Sequence, residues 1–267
     1  MKKLLSVAIA AVAGAALLSS CSDKPAAKIL PEKGMSFVLG FDADFPPYGF
    51  KEGDEYKGFD LDLAREVCKR NDWTFVPKPI NWDAKDMELN SGAIACIWNG
   101  FTINGREESY TWTEPYVDNS QVVLVKAGSA IKTLADLAGK TVAVQTDTPV
   151  QKALAEDGDK ADLGKTFKGI LVTPTYNNAV MELDSGAVDA VALDVGVAKQ
   201  KMIDMPGKFE LLGETVMSEK YGIGFKLGNT ELRDAVQKTL KEMVADGTAA
   251  KISAEWFEGK DVLILQP

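Results

Sequence analysis

The sequence predicts an α/β protein of two lobes, each a helix-covered and mostly parallel sheet, joined by two crossings of the chain. Short apolar runs of strand length alternate with helical repeats, which favours parallel strands with helices over them. This alternation occurs twice in series, separated near Thr133. The final stretch supplies two helices without a further strand series, so the simplest arrangement returns them to cover the first unit.

Ser36 to Gly40 reads as the first strand, and Asp60 opens a helix whose Leu63, Ala64, Val67 and Cys68 recur on one face. Trp73 to Val76 is a second strand, Asp83 to Asn90 a short helix and Ile94 to Ile97 a third strand. The second series begins at Thr133-Leu-Ala-Asp136, a capping-box-like start, with Gly139 as its stop and Thr141 to Val144 as a strand. Thr148-Pro149 starts another helix, Asn178 to Asp184 is a helix stopped by Gly186, and Val188 to Leu193 is a strand. Leu232, Val236, Leu240, Met243 and Val244 form one stripe of a helix from Thr230 to Asp246, and Trp256-Phe257 ends a further short helix. Crossings are expected near Asn119 to Val125 and Leu212 to Tyr221. The divisions that result are 1–20 as a leader, 21–35 as a tether, 36–121 with 216–267 as the first lobe, and 122–215 as the second.

Met1-Lys2-Lys3 is a short basic start, Leu4 to Leu18 is almost wholly apolar, and Leu18-Ser19-Ser20-Cys21 follows. That run is short for a membrane span and its flanks fit an export signal. Leu-Ser-Ser-Cys resembles the lipobox of bacterial lipoproteins, which implies a lipid on Cys21, cleavage just before it and an extracytoplasmic protein held at the membrane. Losing Lys2 and Lys3 with the leader takes the formal charge from -9 to -11. This sign, with no clustered basic face, excludes a nucleic-acid binder.

Beyond Cys21 only Cys68 and Cys96 remain, and they read as two buried, unpaired thiols rather than a disulfide. There is no histidine among the 267 residues. Zinc sites, Ser-His-Asp triads and Cys-His pairs are therefore set aside, and neither a metal nor a cofactor is expected.

Ligands of open α/β sheets bind outside the carboxyl ends of the strands. After the first strand come Asp42, Asp44, Phe45 and Tyr48; after the second, Asn81 and Trp82; after the third, Asn99 to Arg106; in the second lobe, Thr148 and Asp194. An arginine fork holds a carboxylate through two hydrogen bonds, and Asp194 at the end of an apolar strand suits an ammonium. Together these groups fit a zwitterion. Phe45 and Trp82 as core aromatics, Asp42 and Asp194 as helix caps, and Arg106 as a surface charge are the alternatives. Asp60, Asp62 and Asp72 are read as caps or solvated charges.

Val38-Leu-Gly-Phe-Asp42-Ala-Asp-Phe45-Pro-Pro-Tyr, Gly58-Phe-Asp-Leu-Asp-Leu-Ala64, Trp98-Asn-Gly-Phe-Thr102, Val142-Ala-Val-Gln145 and Asp246-Gly-Thr-Ala-Ala-Lys-Ile252 resemble the polar amino-acid family of bacterial solute-binding proteins, which serve ABC importers. Their order and spacing carry the resemblance from about Phe37 to Phe257. It implies a two-lobed periplasmic-binding-protein-like fold (type II), a free amino acid as ligand, partners in an ABC permease and its ATPase, no enzymatic chemistry and a monomer. By that resemblance Arg106 binds the ligand α-carboxylate with Thr102, and Asp194 pairs with the α-ammonium beside the Gly100 carbonyl. Phe45 and Trp82 sandwich the ligand side chain, Asp42 and Asn99 read its tip, and Thr148 offers a helix start to the carboxylate.

This chain departs from the family pattern at three places. One residue fewer separates Thr102 from Arg106, Asp147 stands where a glycine is frequent, and Pro149 lacks an amide proton. Asp147 should repel a ligand carboxylate unless it turns away or faces a cation. With Asp42 it favours a polar, cationic or sulfur-containing ligand over glutamate or aspartate. Two further readings use the same fold: an exported dehydratase of the cyclohexadienyl or arogenate type, for which Glu114 and Glu182 are acids by type only, and a sensor lobe with a separate signalling partner.

Overall fold

The computed structural model describes residues 29–267. The leader, Cys21 and most of the expected tether lie outside the described residues.

The first unit runs β1 (Ser36–Phe41), β2 (Asp44–Phe45), β3 (Gly49–Glu52), β4 (Glu55–Lys57), α1 (Phe59–Asn71), β5 (Thr74–Pro79), a 3-10 turn (Trp82–Ala84), α2 (Lys85–Ser91), β6 (Cys96–Thr102) and β7 (Thr111–Trp112). The long strand β8 (Val117–Lys126) leads to a 3-10 turn (Leu134–Leu137), β9 (Thr141–Gln145), α3 (Pro149–Leu154), α4 (Ala161–Gly164), β10 (Gly169–Thr173), α5 (Tyr176–Ser185), β11 (Ala190–Asp194) and α6 (Val195–Asp204). The chain returns through β12 (Phe209–Phe225) to α7 (Thr230–Ala245) and α8 (Thr248–Trp256).

Main-sheet strands follow the order β10-β9-β11-β8-β12-β6-β1-β5, with β7 beside β12, and β2 to β4 form a small separate sheet. β1 is parallel to β5 and β6, and β9 is parallel to β10 and β11. The crossing strands β8 and β12 run antiparallel between these two parallel ladders, pairing from Phe209 with Lys126 to Tyr221 with Val117. They provide the two connections expected of a two-lobed chain.

Helices close over each ladder as the apolar spacing requires. Leu63 and Val67 of α1 share one core with Phe37 and Leu39 of β1 and with Leu232, Val236, Leu240 and Met243 of α7. Burying such a side chain stabilises by about 1.5–3 kcal/mol, which ties the returning helix to the first unit. Val142, Val144, Ala190, Ala192 and Val150 build a core of the second unit. Thr133 and Asp136 form the expected capping box. Cys68 and Cys96 are both buried and free.

Two local expectations change. Strand β6 does not stop at Ile97: it continues to Thr102 with all seven residues buried, because β12 pairs along it, Tyr221 with Thr102 and Gly222 with Phe101. The polar run is therefore part of the sheet. Asp60 is no solvated charge either. It is fully buried, its Oδ2 accepting from the Gly100 amide at 2.6 Å and its Oδ1 from the Tyr116 hydroxyl at 2.8 Å. Burial outweighs these bonds and pushes its carboxyl up to about 7.

Candidate functional site

Asp42, Phe45, Trp82, Asn99, Gly100, Thr102, Arg106, Thr148 and Asp194 all line one cavity, completed by Gln145 and Pro149. Its volume is about 20 Å³, room for little more than one water by the usual one-sphere measure. The lobes have to part before anything larger enters.

One end is cationic. The turn after Thr102 is short, with Gly105 at a φ of 76° and the Arg106 amide bonded back to the Ile103 carbonyl at 2.9 Å. It nevertheless aims Arg106 into the cavity. The guanidinium lies 5.1 Å from the Phe101 ring centre and donates to the Asp147 carbonyl oxygen at 2.7 Å, while Trp112 Nε1 holds the Arg106 carbonyl at 3.0 Å. Burial draws its pKa below the usual arginine range.

Asp147 adopts a φ of 52° and turns its carboxylate onto Lys85, a residue that sequence reasoning missed. The Lys85 side chain is only 1% exposed and rests 5.1 Å from the Trp82 ring centre. Burial, with the Arg106 charge beside it, pulls its pKa down to about 8. The extra acid is thus met by a cation across the lobes. Nothing in the isolated α2 sequence marks Lys85 as buried, because its partner lies 62 residues away.

Thr148 caps α3, its hydroxyl accepting from the Gln151 amide at 3.4 Å and donating to the Gln145 carbonyl at 2.7 Å. The cap exists, but α3 spans six residues and begins with Pro149, so it offers few free amides.

The opposite end is acidic and sealed. Asp194 stands at the start of α6 without capping it and is 3% exposed. Its Oδ2 accepts from the Tyr176 hydroxyl at 2.9 Å, and its Oδ1 accepts from Asn119 Nδ2 at 2.7 Å and from the Tyr221 hydroxyl. Gly100 passes close by at a φ of 53°; a Cβ there would lie 2.8 Å from Phe45 Cε1 and 3.0 Å from Tyr221 Cε2. Only glycine lets the β6 backbone come this near.

Asp42, Asn99, Phe45 and Trp82 also line the cavity. Asp42 donates its amide to Asn99 Oδ1 at 2.9 Å, and its carboxylate accepts from the Asp44 amide at 2.8 Å and, across the lobes, from Gln145 Nε2 at 2.7 Å. Phe45 lies 5.8 Å from Tyr176, and Trp82 meets Phe101 edge-on at 5.4 Å. Asp42 and Trp82 also border a wider pocket of about 830 Å³ that includes Asp44, Asp83 and Glu88. Glu114 instead pairs with Lys241 at 2.9 Å, and neither it nor Glu182 lines the cavity. No group of His, Cys, Asp and Glu suited to a metal occurs among the described residues.

Comparison with known proteins gives a consistent picture. Residues 37–259 match the family model of bacterial extracellular solute-binding proteins, family 3. The chain is 30% identical over 261 residues to the L-cystine-binding protein TcyJ of Escherichia coli (strain K12), covering 96% of this chain and 94% of that one. It superposes with a TM-score of 0.80 and 28% identity on an ABC uptake transporter substrate-binding protein from Streptococcus pneumoniae with bound histidine, covering 86% and 95% of the two chains. The arginine-, lysine-, histidine-binding protein ArtJ from Geobacillus stearothermophilus gives a TM-score of 0.76 at 33% identity, covering 85% and 96%.

Proposed function

Because this chain belongs to the bacterial extracellular solute-binding proteins, family 3, we propose that it captures a free polar, cationic or sulfur-containing amino acid between residues 36–121 with 216–267 and residues 122–215, and hands it to an ABC permease and its ATPase. The observation that carries this reading is one cavity lined by both Arg106 and Asp194, a cation and an acid. Such a pair suits a zwitterion. Arg106 and Thr102 take the carboxylate, Asp194 and the Gly100 carbonyl take the ammonium, Phe45 and Trp82 flank the side chain, and Asp42, Asn99 and Gln145 read its tip. Thr148 closes the second lobe over the carboxylate side. The cystine-, histidine- and arginine-binding relatives support this ligand class. Our reading also includes Cys21 as the lipid-bearing residue, an extracytoplasmic protein tethered to the membrane, a monomeric carrier and no catalytic role.

Closure follows from the distribution of groups. Gln145 to Asp42, Asp147 to Lys85 and Asn177 to Asp44 bond across the lobes. A ligand that contacts both lobes adds to these bonds and shifts the population toward the closed form.

A thermal-shift screen of the soluble chain from Ser22 onward tests the proposal, using L-arginine, L-lysine, L-histidine, L-ornithine, L-cystine, L-glutamate and L-aspartate. At about 100 times its dissociation constant a ligand adds roughly 2.7 kcal/mol, or about 5–10 °C for a chain of this size. A rise with a cationic or sulfur amino acid and none with the acidic pair is expected. No rise with any of them overturns the reading.

A further inference from the structure

One buried acid beside the cavity has no role in the reading above. Glu219 lies on β12, in the crossing between the lobes, and is 3% exposed. Its Oε1 accepts from Asn119 Nδ2 at 2.6 Å and from Gln121 Nε2 at 2.7 Å, whereas its Oε2 is sealed from solvent without a partner. The same Asn119 amide donates to Asp194 Oδ1, so one side chain bridges two carboxyl groups. The cavity touches Asp194. A separate pocket of about 340 Å³ at the crossings touches Glu219.

The surroundings do not neutralise two negative charges. Asn119 and Gln121 from β8, Tyr176 from α5, Tyr221 from β12 and Tyr48 from the loop after β2 are neutral donors or phenols, and burial holds all three phenols well above their usual range. From α1, Asp60 is a further buried acid that, like Asp194 and Glu219, raises the Tyr48 phenol. Arg106, in the turn after β6, is the cation that faces the pair, and it belongs to the far end of the cavity. Asp118 and Lys220, next along the two strands, are exposed. Adjacent carboxyl groups in such a setting do not both ionise readily and titrate as a pair. Burial and the Asp194 charge push Glu219 up to about 8, and burial raises Asp194 as well.

We infer that Asp194 and Glu219 hold a single proton between them across the lobe crossing, and that an amino-acid ammonium docking on Asp194 displaces this proton, which makes Glu219 a positioning residue for ligand capture. The inference rests on the amino-acid reading of the cavity. Charge balances: two carboxyl groups with one proton carry -1, and two carboxylates with one ammonium also carry -1, the proton leaving to solvent. The pocket at the crossings borders Glu219 but not Asp194, where the ligand docks. Within the range in which the pair holds its proton, proton and ammonium compete, so affinity rises with pH. The rise is about tenfold per pH unit while one proton is released, and it levels off once the pair is ionised.

Two measurements on the soluble chain decide this. The infrared spectrum of ligand-free protein at pH 7, taken as wild type minus Glu219→Gln so that Asp60 cancels, should contain a protonated-carboxyl band. Calorimetric titration with L-arginine and with L-cystine at pH 7, in phosphate and in Tris, should show about one proton released per ligand in the wild type and close to none in Glu219→Gln. Affinity should climb from pH 6 to 7.5 in the wild type and stay nearly flat in the variant. A missing band overturns the shared proton whatever the binding result. Binding without proton release, or with equal pH slopes in both proteins, overturns the displacement. A band present with no binding heat from any amino acid defeats the amino-acid reading instead, and the displacement with it.

Discussion

The two ends of the cavity are built in opposite ways. Thr102 and Arg106 come from one strand end and its turn, a single stretch of chain, and are stabilised by charges: Arg106 against the Asp147 carbonyl, and Asp147 against Lys85. The Asp194 end gathers Asn119 from β8, Tyr176 from α5, and Glu219 and Tyr221 from β12, with Asn119 and Glu219 100 residues apart, and relies on neutral donors around acid. One end takes its candidate ligand groups from a single stretch and is charged, with a half-exposed acid open to salt. The other is long-range, sealed and protonation-sensitive. Burial explains the contrast, because an ion pair with a half-exposed partner is screened whereas a fully buried carboxyl has to be solvated by the protein itself.

The comparison breaks most clearly at its two anchors. Arg106→Ala should weaken L-arginine or L-cystine binding by about 2–5 kcal/mol, at least thirtyfold, with the apo melting temperature nearly unchanged. Asp194→Asn should cost less, about 2–3 kcal/mol, because the amide retains partners for Tyr176 and Tyr221. Calorimetric affinities of the two variants rank the ends, and an unaffected Arg106→Ala would show that the guanidinium does not take the carboxylate.

A smaller effect sharpens the charged end. Lys85→Met leaves the Asp147 carboxylate with Arg106 alone, at 4.0 Å, to compete with a ligand carboxylate, and should weaken binding about tenfold, while adding Asp147→Ser should recover most of the loss. Equal affinities for the single and double variants would remove Asp147 from the account. Least in size is Asp42→Asn, expected to change overall affinity by under about tenfold while reordering which amino acids bind best. A melting-temperature screen against the ligand set above reads that order, and an unchanged order would assign side-chain selection to other residues.

Much of this was legible before the structure, for reasons particular residues make clear. The apolar spacing of Leu63 and Val67, and of Leu232, Val236 and Leu240, placed two helices on one core because a helical stripe repeats every turn. Thr148 announced a cap, and the nine candidate residues meet at one cavity because all but Asn99 and Gly100, which lie within β6, follow or end a strand. Less legible were the continuation of β6 to Thr102, which depends on β12 pairing with it from over 100 residues away, and the small sheet of β2 to β4, whose strands are too short to show a period. Asp60 misled for a related reason. Its place in a first helical turn suggests a capping or solvated acid, and only the approach of Gly100 and Tyr116 makes it a buried acceptor.

By itself, then, the sequence determined what repeats locally: two α/β series, the crossing segments, the returning helices, and a set of strand-end residues chemically matched to a zwitterion. Tertiary structure alone decided how charge is compensated. Lys85 with Asp147, Gln145 with Asp42 and Glu219 with Asp194 are partnerships between elements far apart in the chain. A side chain's type records what it can bond to, but burial and the neighbour brought by folding set whether it stays ionised and which partner it takes.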